Sequence, residues 1–149
     1  MARALHLKSH SLQLTHDMVK QYKFLLVDDS LLDLFIHKKL ISISDLAESI
    51  TTFNSGEEAF DYLVKEQFNM EDCVLLLDLQ MPGMNGFEFI DLFATLDNSI
   101  KKRIRIFILS STVDNGDIQK AKENPYIEDM ISKPVDVNLL KLKLQELHS

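Results

Sequence analysis

Four short apolar runs, FLLV, CVLLL, IFIL and DMIS, each stop at a polar side chain: Asp28 and Asp29 after the first, then Asp78, Ser110 and Lys133. Runs of this length bounded by polar residues suit strands buried on both faces. Amphipathic stretches separate them, and that alternation predicts an α/β domain built on a parallel sheet. The C-terminal ends of parallel strands lie along one edge, so residues distant in sequence meet there in a crevice. Three acids, a hydroxyl and an amine gathered in this way suit Mg2+ binding and phosphoryl transfer to a carboxylate.

Strands are predicted near Lys23 to Val27, Ser49 to Phe53, Cys73 to Leu77, Ile104 to Leu109 and Asp129 to Ile131. Ser30 with Asp33, and Ser55 with Glu58, have the spacing of a reciprocal N-terminal cap, so two helices start there. A third helix opens just after Gly86 and buries Phe87, Ile90 and Phe93; the last buries Val137, Leu140, Leu144 and Leu147. The fourth, from about Asn115 to Asn124, is mostly polar, with Ile118 and Ala121 inward, and should pack least firmly. No repeat or linker divides residues 22–149, which read as one domain. Residues 1–21 read as a partly ordered or helical extension, and its His6, His10 and His16 fit no zinc-binding spacing.

With 149 residues, 46% of them apolar, the chain has material for one core and no second domain. Its net charge of -7 argues against a nucleic-acid partner. No stretch approaches the roughly 20 apolar residues that cross a bilayer, so neither a signal peptide nor a membrane anchor is expected. Cys73 is alone and forms no intramolecular disulfide, which suits a reducing, cytoplasmic setting; beside a core strand it is expected to be inert.

Taken singly, each polar stop has an ordinary reading: a strand-end Asp forms turns or caps, and a Ser hydroxyl bonds the backbone. The combination is harder to explain that way. Ser30 already supplies a cap, which leaves Asp28 and Asp29 without a local task, and Asp78 follows five apolar residues directly. Carboxylates about 4 Å apart repel by on the order of 4 kcal/mol per pair at an effective dielectric near 20. Mg2+, a hard cation that takes oxygen ligands, and a lysine would offset that cost.

The segments FLLVDDS, LLLDLQMPGMNG, ILSS and SKP, in this order, resemble the receiver domain of two-component response regulators over about residues 22–149. The resemblance implies a doubly wound, flavodoxin-like sheet of five parallel strands in the order 2-1-3-4-5. It implies that Asp78 is the phosphoacceptor. Asp29 and Asp78 would ligate Mg2+ directly with the Gln80 backbone carbonyl, and Asp28 would act largely through water. Lys133 would pair with Asp78 and then with its phosphoryl group, Ser110 would swing inward to that group, and Pro134 would be cis. The implied partners are a histidine kinase or histidine phosphotransfer protein and an unidentified downstream protein. As a stand-alone receiver the chain would be catalytic only toward itself, and would signal by partner binding or by relay. One position departs from the family: Met130, three residues before the lysine, stands where Tyr or Phe is usual, so coupling would run through Ser110 and the loop from Ser111 to Gly116.

Two other readings remain open. LLLD also begins Mg2+-dependent phosphatases with an aspartate nucleophile, but Gln80 stands where those enzymes place a second Asp. A protein-binding module without phosphorylation would not require an acid cluster so costly to hold together. A flavin or dinucleotide site is the poorer reading, because two acids and no Gly-rich loop follow the first strand, so phosphates would be repelled unless a metal intervened.

Overall fold

The apolar runs form one sheet in the computed structural model, which describes residues 20–112 and 114–148. Strands β1 (Tyr22–Val27), β2 (Ala47–Phe53), β3 (Cys73–Asp78), β4 (Ile104–Ser110) and β5 (Ile127–Ser132) pair in parallel in the order β2-β1-β3-β4-β5. The two edge strands start two residues before their predicted positions, because exposed Glu48 and Glu128 hide the strand signal there.

Five helices connect them: α1 (Leu31–Ser42), α2 (Gly56–Lys65), α3 (Gly86–Phe93), α4 (Asn115–Glu123) and α5 (Val137–His148). Single turns at Gln67–Asn69 and Asn98–Lys101 lie within the loops. Alternation along the strands sorts side chains to two faces. Leu25, Val27, Leu75, Leu77, Ile106 and Ile108 meet the buried residues of α2 and α3, among them Leu63, Phe89, Ile90 and Phe93. On the other face Phe24, Leu26, Val74, Leu76, Phe107 and Leu109 meet Leu34 and Ile41 of α1 and Leu140 and Leu144 of α5. A one-residue slip would exchange the faces, so the pairing of Val27 with Leu77, and of Leu77 with Ile108, is firmly set.

Ser30 and Ser55 cap α1 and α2 by accepting the backbone N–H groups of Asp33 and Glu58. The reciprocal half expected at Ser30 is not made: its backbone N–H goes to Asp28 instead. The complete capping box is at Asn85 and Glu88, ahead of α3. Two predicted core positions are also corrected. In α3 it is Phe89 that is fully buried, while Phe87 is half-buried with the Lys120 ammonium 5.1 Å from its ring centre. Leu147 of α5 is 42% exposed, because it lies beyond Leu144, the last residue of that helix in the core. In α4 Ala121 is buried and Ile118 half-buried.

No helix among the described residues is long and apolar enough to cross a membrane. Most of the predicted extension, with its three histidines, lies outside the described residues; at its end Lys20 pairs with the Asp72 carboxylate.

Candidate functional site

The sheet register assembles the site. Val27 pairs with Leu77, so the next residues, Asp28 and Asp78, leave adjacent strands side by side. Ser110 ends β4 beside them, and the backbone N–H of Lys133 donates to the Ser110 carbonyl at 2.9 Å. The Lys133–Pro134 peptide is cis, as the resemblance implied.

Asp28 is buried and held from three directions. Its backbone N–H donates to the Phe53 carbonyl at 3.1 Å. One carboxylate oxygen accepts the Ser30 N–H at 2.9 Å, and the other accepts from Lys133 at 2.7 Å. The first of these carboxylate bonds is a local task that the sequence reading denied to Asp28. Asp29 is exposed at the mouth. Asp78 is buried, and the loop after it folds back tightly: Leu79 donates its N–H to the Leu109 carbonyl and accepts the Gly86 N–H on its own carbonyl at 2.8 Å. Gly86 allows this close approach, since a Cβ would lie 3.1 Å from both the Asp78 carbonyl oxygen and the Leu79 Cα. Gly83, with φ +83°, turns the middle of the same loop.

One carboxylate oxygen from each of Asp28, Asp29 and Asp78 can be chosen so that all three lie within 4.8 Å of one another. These are hard oxygen donors, two of them shielded from water, and they fit a small divalent cation such as Mg2+. Gln80 is exposed and follows Leu79 in the loop; its backbone N–H favours the charged form of Asp78.

Lys133 Nζ stands 3.0 Å from Asp78 Oδ1. Burial pushes the Asp78 carboxyl up to about 6; the hydrogen bond from Lys133 opposes that rise and the Asp28 charge adds to it. For Lys133 burial acts to lower the pKa, but its bonds to Asp28, Asp33 and Asp78 outweigh this and hold it above the ordinary lysine value. The amine is therefore charged.

Two residues in this region were not singled out from the sequence. Asp33 accepts from Lys133 at 3.0 Å, and buried His37 lies one turn further along α1. Burial first, then the Lys133 charge, hold His37 below the usual imidazole value, which keeps it neutral behind the site. The available signal was the inward stripe Leu34, His37 and Ile41, whose spacing places Asp33 at its site-facing end.

Ser110 is buried beside Asp78, but its hydroxyl is engaged elsewhere. It donates to the Thr112 carbonyl at 2.8 Å and accepts the Thr112 N–H at 3.3 Å. Its other neighbour is a cavity of about 300 Å3 between β5 and α4, lined also by Ile118, Ala121 and half-buried Met130. The structure thus gathers Asp28, Asp29, Asp78 and Lys133 into one pocket and leaves the Ser110 hydroxyl turned toward its own loop.

A doubly wound parallel sheet with an acidic pocket and a paired lysine at its C-terminal edge has the architecture that the receiver resemblance implied. A family model described as the response regulator receiver domain matches residues 24–145. This chain belongs to that family. It is similar in structure to a response regulator receiver protein from Dyadobacter fermentans, with TM-score 0.81 and 42% identity over 85% of this chain and 98% of that one. A two-component response regulator from Cytophaga hutchinsonii gives TM-score 0.81 and 29% identity over 87% of this chain and 99% of that one. Among curated relatives, a protein-glutamate methylesterase/protein-glutamine glutaminase of Methanococcus maripaludis is 32% identical over 78% of this chain and 30% of its own length. The chain spans under a third of the curated relatives it matches first.

Proposed function

We propose that Asp78 accepts a phosphoryl group from a phosphohistidine donor, either a histidine kinase or a histidine phosphotransfer protein. The observation that carries this reading is the 3.0 Å contact between Asp78 Oδ1 and the charged Lys133 amine beside two further acids. A carboxylate oxygen of Asp78 forms the new O–P bond as the P–N bond to the donor imidazole breaks. The imidazole leaves with the bonding pair and takes its proton from solvent, and the product is an acyl phosphate.

Asp28, Asp29, Asp78 and the Gln80 carbonyl would hold Mg2+, which when bound offsets the charge of the acids and of the phosphoryl oxygens. Lys133 supplies positive charge where the equatorial oxygens gather. Ser110 donates to a phosphoryl oxygen only by giving up its donation to the Thr112 carbonyl, which frees that carbonyl and lets the loop after β4 rearrange. That rearrangement couples the site to α4 and to the binding of a downstream protein, or the phosphoryl group passes onward in a relay. The receiver domain would itself catalyse its own phosphorylation and dephosphorylation, in a cytoplasmic setting.

The test is incubation with acetyl phosphate and Mg2+, followed by intact mass measurement. The wild type should gain one phosphoryl group and Asp78→Asn none. Equal gain in both proteins would move the phosphoacceptor elsewhere, and no gain in the wild type would remove the reading.

A further inference from the structure

An ammonium group has three N–H donors, and Lys133 spends each on a different carboxylate. The distances are 2.7 Å to Asp28 Oδ2, 3.0 Å to Asp33 Oδ2 and 3.0 Å to Asp78 Oδ1. Every donor is engaged in the resting site, so a phosphoryl oxygen must compete with these carboxylates for Lys133.

The three bonds are unequal. The side chains of Asp28 and Asp78 are 4% and 7% exposed, whereas that of Asp33 is 34% exposed. Stripping Lys133 from Asp28 would strand a buried charge, which is costly, while water can replace Lys133 at Asp33 at little cost. Nor is the Asp33 carboxylate needed to start α1: the cap bond is made by its backbone N–H to Ser30 Oγ at 3.2 Å. Asp33 also stands outside the group of three acids that can share a cation.

We propose that Asp33 is a positioning residue that competes with the phosphoryl group for Lys133. Its carboxylate occupies the third donor of the resting amine and is the partner released when a phosphoryl group arrives. The inference rests on the phosphoacceptor reading above. It has a signature that simple loosening of the fold lacks. The Asp33 charge repels an anion entering the pocket and takes its donor, while the same charge attracts a cation. Removing it therefore moves the two ligands in opposite directions.

The experiment uses the full chain as wild type, Asp33→Asn and Asp33→Glu. Mg2+ alone is titrated by calorimetry, and fluoroberyllate, a phosphoryl mimic, is then titrated at saturating Mg2+. Asp33→Asn should bind fluoroberyllate about threefold to tenfold more tightly and Mg2+ about twofold to fivefold more weakly. Asp33→Glu should return both affinities toward the wild type. If both affinities fall together in Asp33→Asn, or neither moves, the competition is refuted while the phosphoacceptor reading stands. A wild type that binds no fluoroberyllate overturns both.

Discussion

Asp28 and Lys133 are 105 residues apart in sequence and 2.7 Å apart in the fold, joined across the ends of β3, which carries Asp78, and β4. The amine is the charge that lets two buried acids sit on neighbouring strands. Lys133→Ala should therefore cost about 3 to 5 kcal/mol of stability in Mg2+-free buffer. Mg2+ should recover much of that loss, and should raise the variant's stability more than the wild type's, because a competing cation is gone. Urea unfolding with and without Mg2+ measures both; a loss that Mg2+ leaves unchanged would mean the amine does not balance those acids.

Asp78 sets a pH dependence of its own. Folding raises its pKa from an ordinary value near 4 to about 6, so the folded state binds this proton more tightly than the unfolded chain does. Its contribution to stability is complete below the unfolded value and is lost as pH rises through about 6. Without Mg2+, Asp78→Asn should be more stable than the wild type near neutral pH by about 1 to 3 kcal/mol, and the gap should close toward about pH 4. The amide oxygen left by that change can still accept from Lys133. Melting temperatures across this range provide the check, and a gap that is constant with pH would count against the shift.

Gly86→Ala places a methyl 3.1 Å from two backbone atoms, one of them on Asp78 itself. Neither atom yields readily, since β3 is buried throughout and Leu79, which follows it, is buried too. A loss of about 1 to 3 kcal/mol is expected, together with weaker Mg2+ binding through displacement of the Asp78 backbone. Denaturant midpoints and a Mg2+ titration test the two parts separately.

Burial pushes the Cys73 thiol up to about 11, and its side chain is fully covered. The native protein should resist a disulfide-exchange reagent at about pH 8, and the unfolded protein should react at the rate of an ordinary thiol. Fast reaction of the native form would mean that β3 opens at its start.

Much of this arrangement is legible in the sequence because it is carried by local patterns. CVLLLD marks a strand buried on both faces, and Ser30 and Ser55 mark helix starts through bonds spanning three residues. The capping box at Asn85 was equally local, and its spacing to Glu88 was there to be read. The bond from Lys133 to Asp33 was not, because it spans 100 residues and Asp33 already had a reading as a cap partner. The direction of the Ser110 hydroxyl was also hidden, since a rotor that can bond its own backbone leaves no trace in residue spacing. Leu147 was misplaced because helical periodicity continues past the point where α5 leaves the core.

An interior filled to crystal-like density can shift only where room has been left. The hollow beneath α4 supplies that room, and an unbranched thioether with three rotatable bonds borders it at position 130. A flat ring there would have few resting places, whereas a flexible thioether can fill the space in several ways. The helix above should therefore settle by small steps into the space beneath it, like a dimmer and not a toggle.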